Sequence, residues 1–100
     1  MVYKIIVSGT AEKTYLSNIE FLLNNWSQKE VDKFILKTQE ISDVLKYTPF
    51  AFQAWEQDPE IRKVPVVKQI TIFYSVSGNR VEILLFWNCH QDPRKLLGLL

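Results

Sequence analysis

Residues 61–87, IRKVPVVKQITIFYSVSGNRVEILLFW, decide the fold. They divide into three runs rich in β-branched and aromatic residues: 61–68, 69–76 and 80–87. Such side chains suit the pleated, half-buried surface of a strand. The last two runs are separated by Ser77-Gly78-Asn79, a short turn whose Gly and Asn tolerate positive φ. The segment therefore reads as a β-meander. Pro65 has no N–H to give a ladder, which places its strand at an edge or on a bulge.

Upstream of the meander the periodicity changes. Residues 2–8 (VYKIIVS) form one more strand with a buried centre and stop at Gly9. Thr10 then offers a cap hydroxyl, and Ala11, Tyr15, Ile19, Leu22, Leu23 and Trp26 recur at helical spacing, which predicts a helix over about 11–25. Ser27-Gln28-Lys29-Glu30 has the spacing of a capping box and restarts the chain as a second helix. Its apolar stripe runs through Val31, Phe34, Ile35, Thr38, Ile41 and Leu45 to about residue 47, and Pro49 marks the stop. Leu36, Val44 and Phe21 fall off these stripes, and Lys29, Lys33 and Lys37 line the polar face of the second helix. Residues 48–60 read as a long connection pinned by Phe50, Phe52 and Trp55. After the meander, Asp92 or Pro93 opens a short terminal helix ending near Gly98. The order is β-α-α-β-β-β(-α), an α+β fold in which a small, mostly antiparallel sheet packs against an N-terminal helical hairpin. The pairing of the first strand is not legible.

Composition bounds what such a fold can do. One hundred residues, 47% apolar and 13% aromatic, are enough for one domain spanning 1–100 with a substantial core. One cysteine, Cys89, and one histidine, His90, cannot make an intramolecular disulfide, a zinc knuckle or a multi-His site, so neither a metal nor another cofactor is expected. No run is long enough to span a membrane, and the first apolar stretch is too short for a signal peptide. A reduced, cytoplasmic setting is the expectation. The formal charge is only +1, but it is unevenly distributed. Residues 1–60 carry six Lys against nine Asp or Glu, a net −3. Residues 61–100 carry Arg62, Lys63, Lys68, Arg80, Arg94 and Lys95 against Glu82 and Asp92, a net +4. Any phosphate-binding surface therefore belongs to the sheet and tail.

No nucleophile elbow, phosphate loop, dinucleotide fingerprint or zinc-protease motif is present. Cys89 and His90 are adjacent and, in an extended segment, face opposite ways, so Cys89 reads as a half-buried strand-end residue rather than a nucleophile. The remaining constellation is basic. Arg62, Lys63 and Lys68 lie on or beside the second strand, and His90, Arg94 and Lys95 follow the last one. If these strands are neighbours, the residues can gather on the side of the sheet opposite the helices. Metal-free RNA cleavage through the 2′-hydroxyl needs a base, an acid and cations on the phosphorus. One histidine with several Arg and Lys meets that minimum. Solvated edge charges that block aggregation would have the same composition.

Three local motifs, in order, resemble the RelE/ParE family of bacterial type II toxins. Asn25-Trp26-Ser27 with Lys29-Glu30-Val31 resembles its helix–helix junction. Val67-Lys68 through Ile70-Thr71-Ile72-Phe73-Tyr74 resembles its third-strand segment. Val81-Glu82-Ile83-Leu84 with Phe86-Trp87 and Gln91-Asp92-Pro93 resembles its last strand and tail. The resemblance implies a curved antiparallel sheet holding two helices, and an antitoxin partner wrapping both. It also implies one of two activities: cleavage of mRNA on the ribosome, or poisoning of DNA gyrase. An attenuated relative that keeps only antitoxin binding is a third outcome. Where many relatives carry Arg before Gln-Asp-Pro this chain carries His90, and no tyrosine follows Tyr74. For the cleaving activity the resemblance and the chemistry together nominate His90 as acid or base, Arg62, Lys63 and Lys68 as phosphate clamps, and Arg94 as an assisting cation. Histidine suits the first role because imidazole ordinarily titrates near neutral pH.

Overall fold

The computed structural model describes residues 1–100. Its elements are β1 (Lys4–Val7), α1 (Gly9–Asn25), α2 (Gln28–Tyr47), β2 (Ala54–Trp55), β3 (Asp58–Val67), β4 (Ile70–Ser77), β5 (Arg80–Asn88) and α3 (Arg94–Leu99). The architecture is α+β: the strands form one sheet in the order β1-β5-β4-β3-β2, antiparallel except for the parallel β1–β5 pair. The first strand thus takes its place beside the last, pairing Lys4–Val7 with Arg80–Ile83.

The meander forms with two details of its own. Ser77 pairs with Arg80 across a two-residue turn in which only Gly78 takes positive φ, +60°, the arrangement of a hairpin turn with Gly first. In β5, Tyr74 is opposite Ile83 and Phe73 opposite Leu85, so Leu84 is the extra residue of a bulge. The bulge resets the alternation. Val81, Ile83 and Phe86 pack under the helices, whereas Leu85 and Trp87 join Trp55, Ile61, Phe73 and Leu96 on the other face beneath α3. Pro65 lies in β3 with a register shift between it and Val67. Alternation from Lys63, whose N–H reaches the Gln53 carbonyl, turns the Pro65 nitrogen toward the stretch of edge that β2 does not cover. That edge therefore lacks one donor for a foreign strand.

Several expectations change. Ser8, not Thr10, caps α1: its hydroxyl accepts the Ala11 N–H at 3.0 Å. The capping box does not close, since the Ser27 side chain makes no cap bond and the N–H groups of Glu30 and Val31 go to the Ser27 carbonyl. Within α1 Leu23 is exposed, as is the C-cap Trp26, while Asn18 is buried and Phe21 half-buried. The buried residues are Ala11, Asn18 and Leu22, with Thr14 half-buried on the same line, because the helix lies along a strand edge that needs polar partners as well as apolar cover. In α2 the stripe is as expected, with Val31, Phe34, Ile41 and Leu45 buried. The 48–60 connection contains β2 and the start of β3, and Phe50 is exposed rather than pinning. Cys89 is exposed too, carried outward by the turn after β5.

Candidate functional site

The residues nominated for phosphate chemistry are distributed over both faces and both ends of the sheet. Along β3, Val64 and Val66 belong to the core under the helices and Ile61 to the opposite one, so Arg62 and Lys63 face opposite ways. Arg62 Nη1 donates to the Phe52 carbonyl at 2.6 Å, and its guanidinium lies 4.9 Å from the centre of the Phe50 ring. It ties down the chain after α2. Below it the Tyr74 hydroxyl donates to the Pro49 carbonyl at 2.6 Å, and burial pushes that phenol up to about 12 against the opposing pull of Arg62. Lys63 Nζ is 3.6 Å from Glu56 on the outer face. Arg94 belongs to α3 and forks onto Asp92, its Nη2 2.6 Å from the carboxylate; these bonds hold the Asp92 carboxyl below its usual range and raise Arg94. The expectation that these cations gather on the side away from the helices is therefore corrected.

His90 and Lys68 lie at the same end of the sheet and line one concavity. Lys68 lies in the β3–β4 turn and His90 just after β5, and the Cys89 N–H donating to the Gln69 carbonyl at 2.8 Å joins the two turns. Arg62 is paired with Tyr74, level with Ile83; the His90 end of β5 is roughly 15–20 Å further along the strand. Lys68 and His90 share a concavity of about 230 Å³ with Trp26, Gln69 and Cys89. On the other flank of His90 lies a second concavity, about 270 Å³, walled by Ser17, Asn18, Phe21, Asn88 and Gln91. The His90 and Phe21 rings are 5.6 Å apart, and the His90 N–H donates to Asn88 Oδ1 at 2.9 Å, which fixes the turn.

This site owes its shape to α1. Beyond Ile83, β5 has no strand on its β1 side, and α1 supplies side chains instead. Ser8 Oγ donates to the Leu84 carbonyl at 2.9 Å, Thr14 Oγ1 accepts the Phe86 N–H at 2.9 Å, and Asn18 Nδ2 donates to the Phe86 carbonyl at 2.9 Å. Sequence reasoning missed Asn18, Asn88 and Gln69. Asn18 had a signal, since an amide on a helix line with Ala11 and Leu22 must find partners when buried. No cluster of three His, Cys, Asp or Glu that can hold a metal is present, and no helix is long and apolar enough to cross a membrane.

No family model and no curated protein matches the sequence. Solved structures do match. The chain is similar to the chromosomal ParDE toxin–antitoxin system of P. aeruginosa, with a TM-score of 0.71 at 11% identity over 87% of this chain and 96% of that one. It is also similar to the YoeB/ParE toxin of Agrobacterium tumefaciens, with a TM-score of 0.61 at 17% identity over 85% and 96%. For the DinJ–YafQ toxin–antitoxin complex of E. coli the TM-score is 0.61 at 9% identity over 88% and 93%. The fold is that of the RelE/ParE-type toxins. The RelE/ParE scaffold here carries its one histidine at the tail end of β5, on the flank facing α1.

Proposed function

We propose that this chain is the toxin component of a type II toxin–antitoxin pair acting in the cytoplasm. The observation that carries the reading is the shared fold, which extends over most of this chain and nearly all of toxins solved alone and in toxin–antitoxin complexes. Its partner is an antitoxin. The acidic helical half, with Leu16, Leu23, Leu36 and Val44 exposed on α1 and α2, suits a basic amphipathic segment. Its action is ribosome-dependent mRNA cleavage, with His90 as acid or base and Lys68 on the phosphate. Arg62 lies a strand length from His90, while Lys63 and Arg94 are paired with Glu56 and Asp92, so these three would contact RNA elsewhere along its path.

That same dispersal favours a second reading, in which the toxin blocks DNA gyrase through a protein surface and has no catalytic site. A single histidine with one lysine supplies one proton-transfer group and one cation, fewer than 2′-hydroxyl cleavage uses. Expression of the chain alone should arrest growth; unchanged growth would leave only an attenuated, antitoxin-binding relative. The mechanism is tested in a translating extract. Wild-type protein should cut mRNA and His90→Ala should not, whereas intact mRNA together with loss of gyrase supercoiling establishes the second reading instead.

A further inference from the structure

Three amide side chains surround His90 under more than nine-tenths burial: Asn18 at 3% exposure, Asn88 at 4% and Gln69 at 6%. Amides that deeply placed must hydrogen-bond or face a cavity. Both donors of Asn18 are spent locally, Nδ2 giving to the Thr14 and Phe86 carbonyls, which leaves Oδ1 without a protein partner. Asn88 is the converse: its Oδ1 takes the His90 N–H and its Nδ2 has no partner. Gln69 makes no side-chain hydrogen bond at all, yet no sealed side-chain polar atom in the protein lacks a partner. The free atoms are therefore reached by solvent, and each of the three residues lines a concavity. Asn18 and Asn88 line the one on the Phe21 flank and Gln69 the one on the Lys68 flank.

On the Phe21 flank, a fixed acceptor and a fixed donor sit in a hollow of about 270 Å³ with an aromatic wall of Phe21 and His90. No charged carboxylate or ammonium lines it. A planar heterocycle with donor and acceptor groups on its edge matches that chemistry, and an anion, which needs a fixed cation, does not. We propose that this hollow binds one unstacked nucleobase, an inference that rests on the RNA-directed reading of His90. The Lys68 flank then receives the adjoining stretch of a single strand. Lys68 meets the phosphate, and Trp26, 55% exposed, offers a stacking face. His90 stands between base and phosphate.

The binding is read without turnover, by titrating wild-type protein with adenosine and with a single-stranded heptaribonucleotide. Asn88→Asp retains an oxygen for the His90 N–H but puts a carboxylate oxygen where the free Nδ2 donor was, so a base acceptor bonded to that donor loses its partner and meets a second acceptor. Asn88→Asp should weaken adenosine about tenfold, and Phe21→Leu should weaken it as well, with melting curves confirming that both fold. Trp26→Ala should weaken the heptaribonucleotide several-fold while adenosine keeps its affinity, which separates a strand site from a free-nucleoside site. Equal loss of both ligands, or of neither, would overturn the strand path. Absence of adenosine binding to wild type, or full affinity in Asn88→Asp, would overturn the base pocket. The cleavage reading fails separately: nucleobase binding that behaves as stated with mRNA left intact supports the pocket and removes the nuclease.

Discussion

The two halves of β5 have the same job on the same edge and do it by different means. Residues 80–83 pair with β1, backbone to backbone, in parallel register. Residues 84–86 are satisfied by Ser8, Thr14 and Asn18, side chains reaching from the start of α1 and its second and third turns. A ladder tolerates almost any side chain because the peptide groups do the bonding. A helix laid along an edge can do the same only with particular side chains at particular positions. The cost is sequence sensitivity, and the gain is that the strand end stays partly open, where Asn88 and His90 line a hollow rather than a further strand.

Substitutions on the two halves should therefore differ sharply. Asn18→Leu removes the donor to two carbonyls, Thr14 and Phe86, in a position 3% exposed. Denaturant unfolding should show a loss of about 3 kcal/mol, and a wild-type midpoint would show that α1 does not satisfy the edge. Thr14→Val keeps the shape but strips the acceptor from the Phe86 N–H; it should cost roughly 1–3 kcal/mol, speed exchange of that amide, and be largely restored by Thr14→Ser. The smallest effect belongs to the ladder half. Val7 is 55% exposed in β1 opposite Ile83, and Val7→Thr should shift stability by less than about 0.5 kcal/mol. A cost there equal to that of Thr14→Val would erase the distinction.

Much of this was legible in the sequence. The β-branched runs of 69–76 and 80–87 and the Gly78 turn predict β4, β5 and their hairpin to within a residue or two, because period-two burial and a positive-φ glycine are local requirements. The α2 stripe is equally local. Two features misled. The double apolar run Ile83-Leu84-Leu85-Phe86-Trp87 conceals a bulge, since the residues on both faces are apolar and alternation gives no phase. Along α1 and its C-cap, the apolar spacing suggested that Leu23 and Trp26 face the core, but an edge with unpaired peptide groups draws in Thr14 and Asn18 instead.

The candidate site divides the same way. Residue type and order along the chain indicated a basic C-terminal part with one histidine, and the tail motif around it. Alternation already puts Arg62 and Lys63 on opposite faces of a strand, but residue type and order could not indicate that His90 lies at the far end of the sheet from Arg62, nor that Phe50, Phe52 and Asp92 already engage two of the cations. The sequence by itself determined the two helices, the three meander strands, the buried stripe of α2 and the charge asymmetry, all of which follow from interactions within a few residues. Only the tertiary structure decided that β1 lies parallel to β5, that α1 completes the rest of that edge, and that two buried asparagines line a hollow beside His90. Each of these joins residues some seventy positions apart, and peptide groups left unpaired by one segment carry no mark in the sequence of the segment that satisfies them.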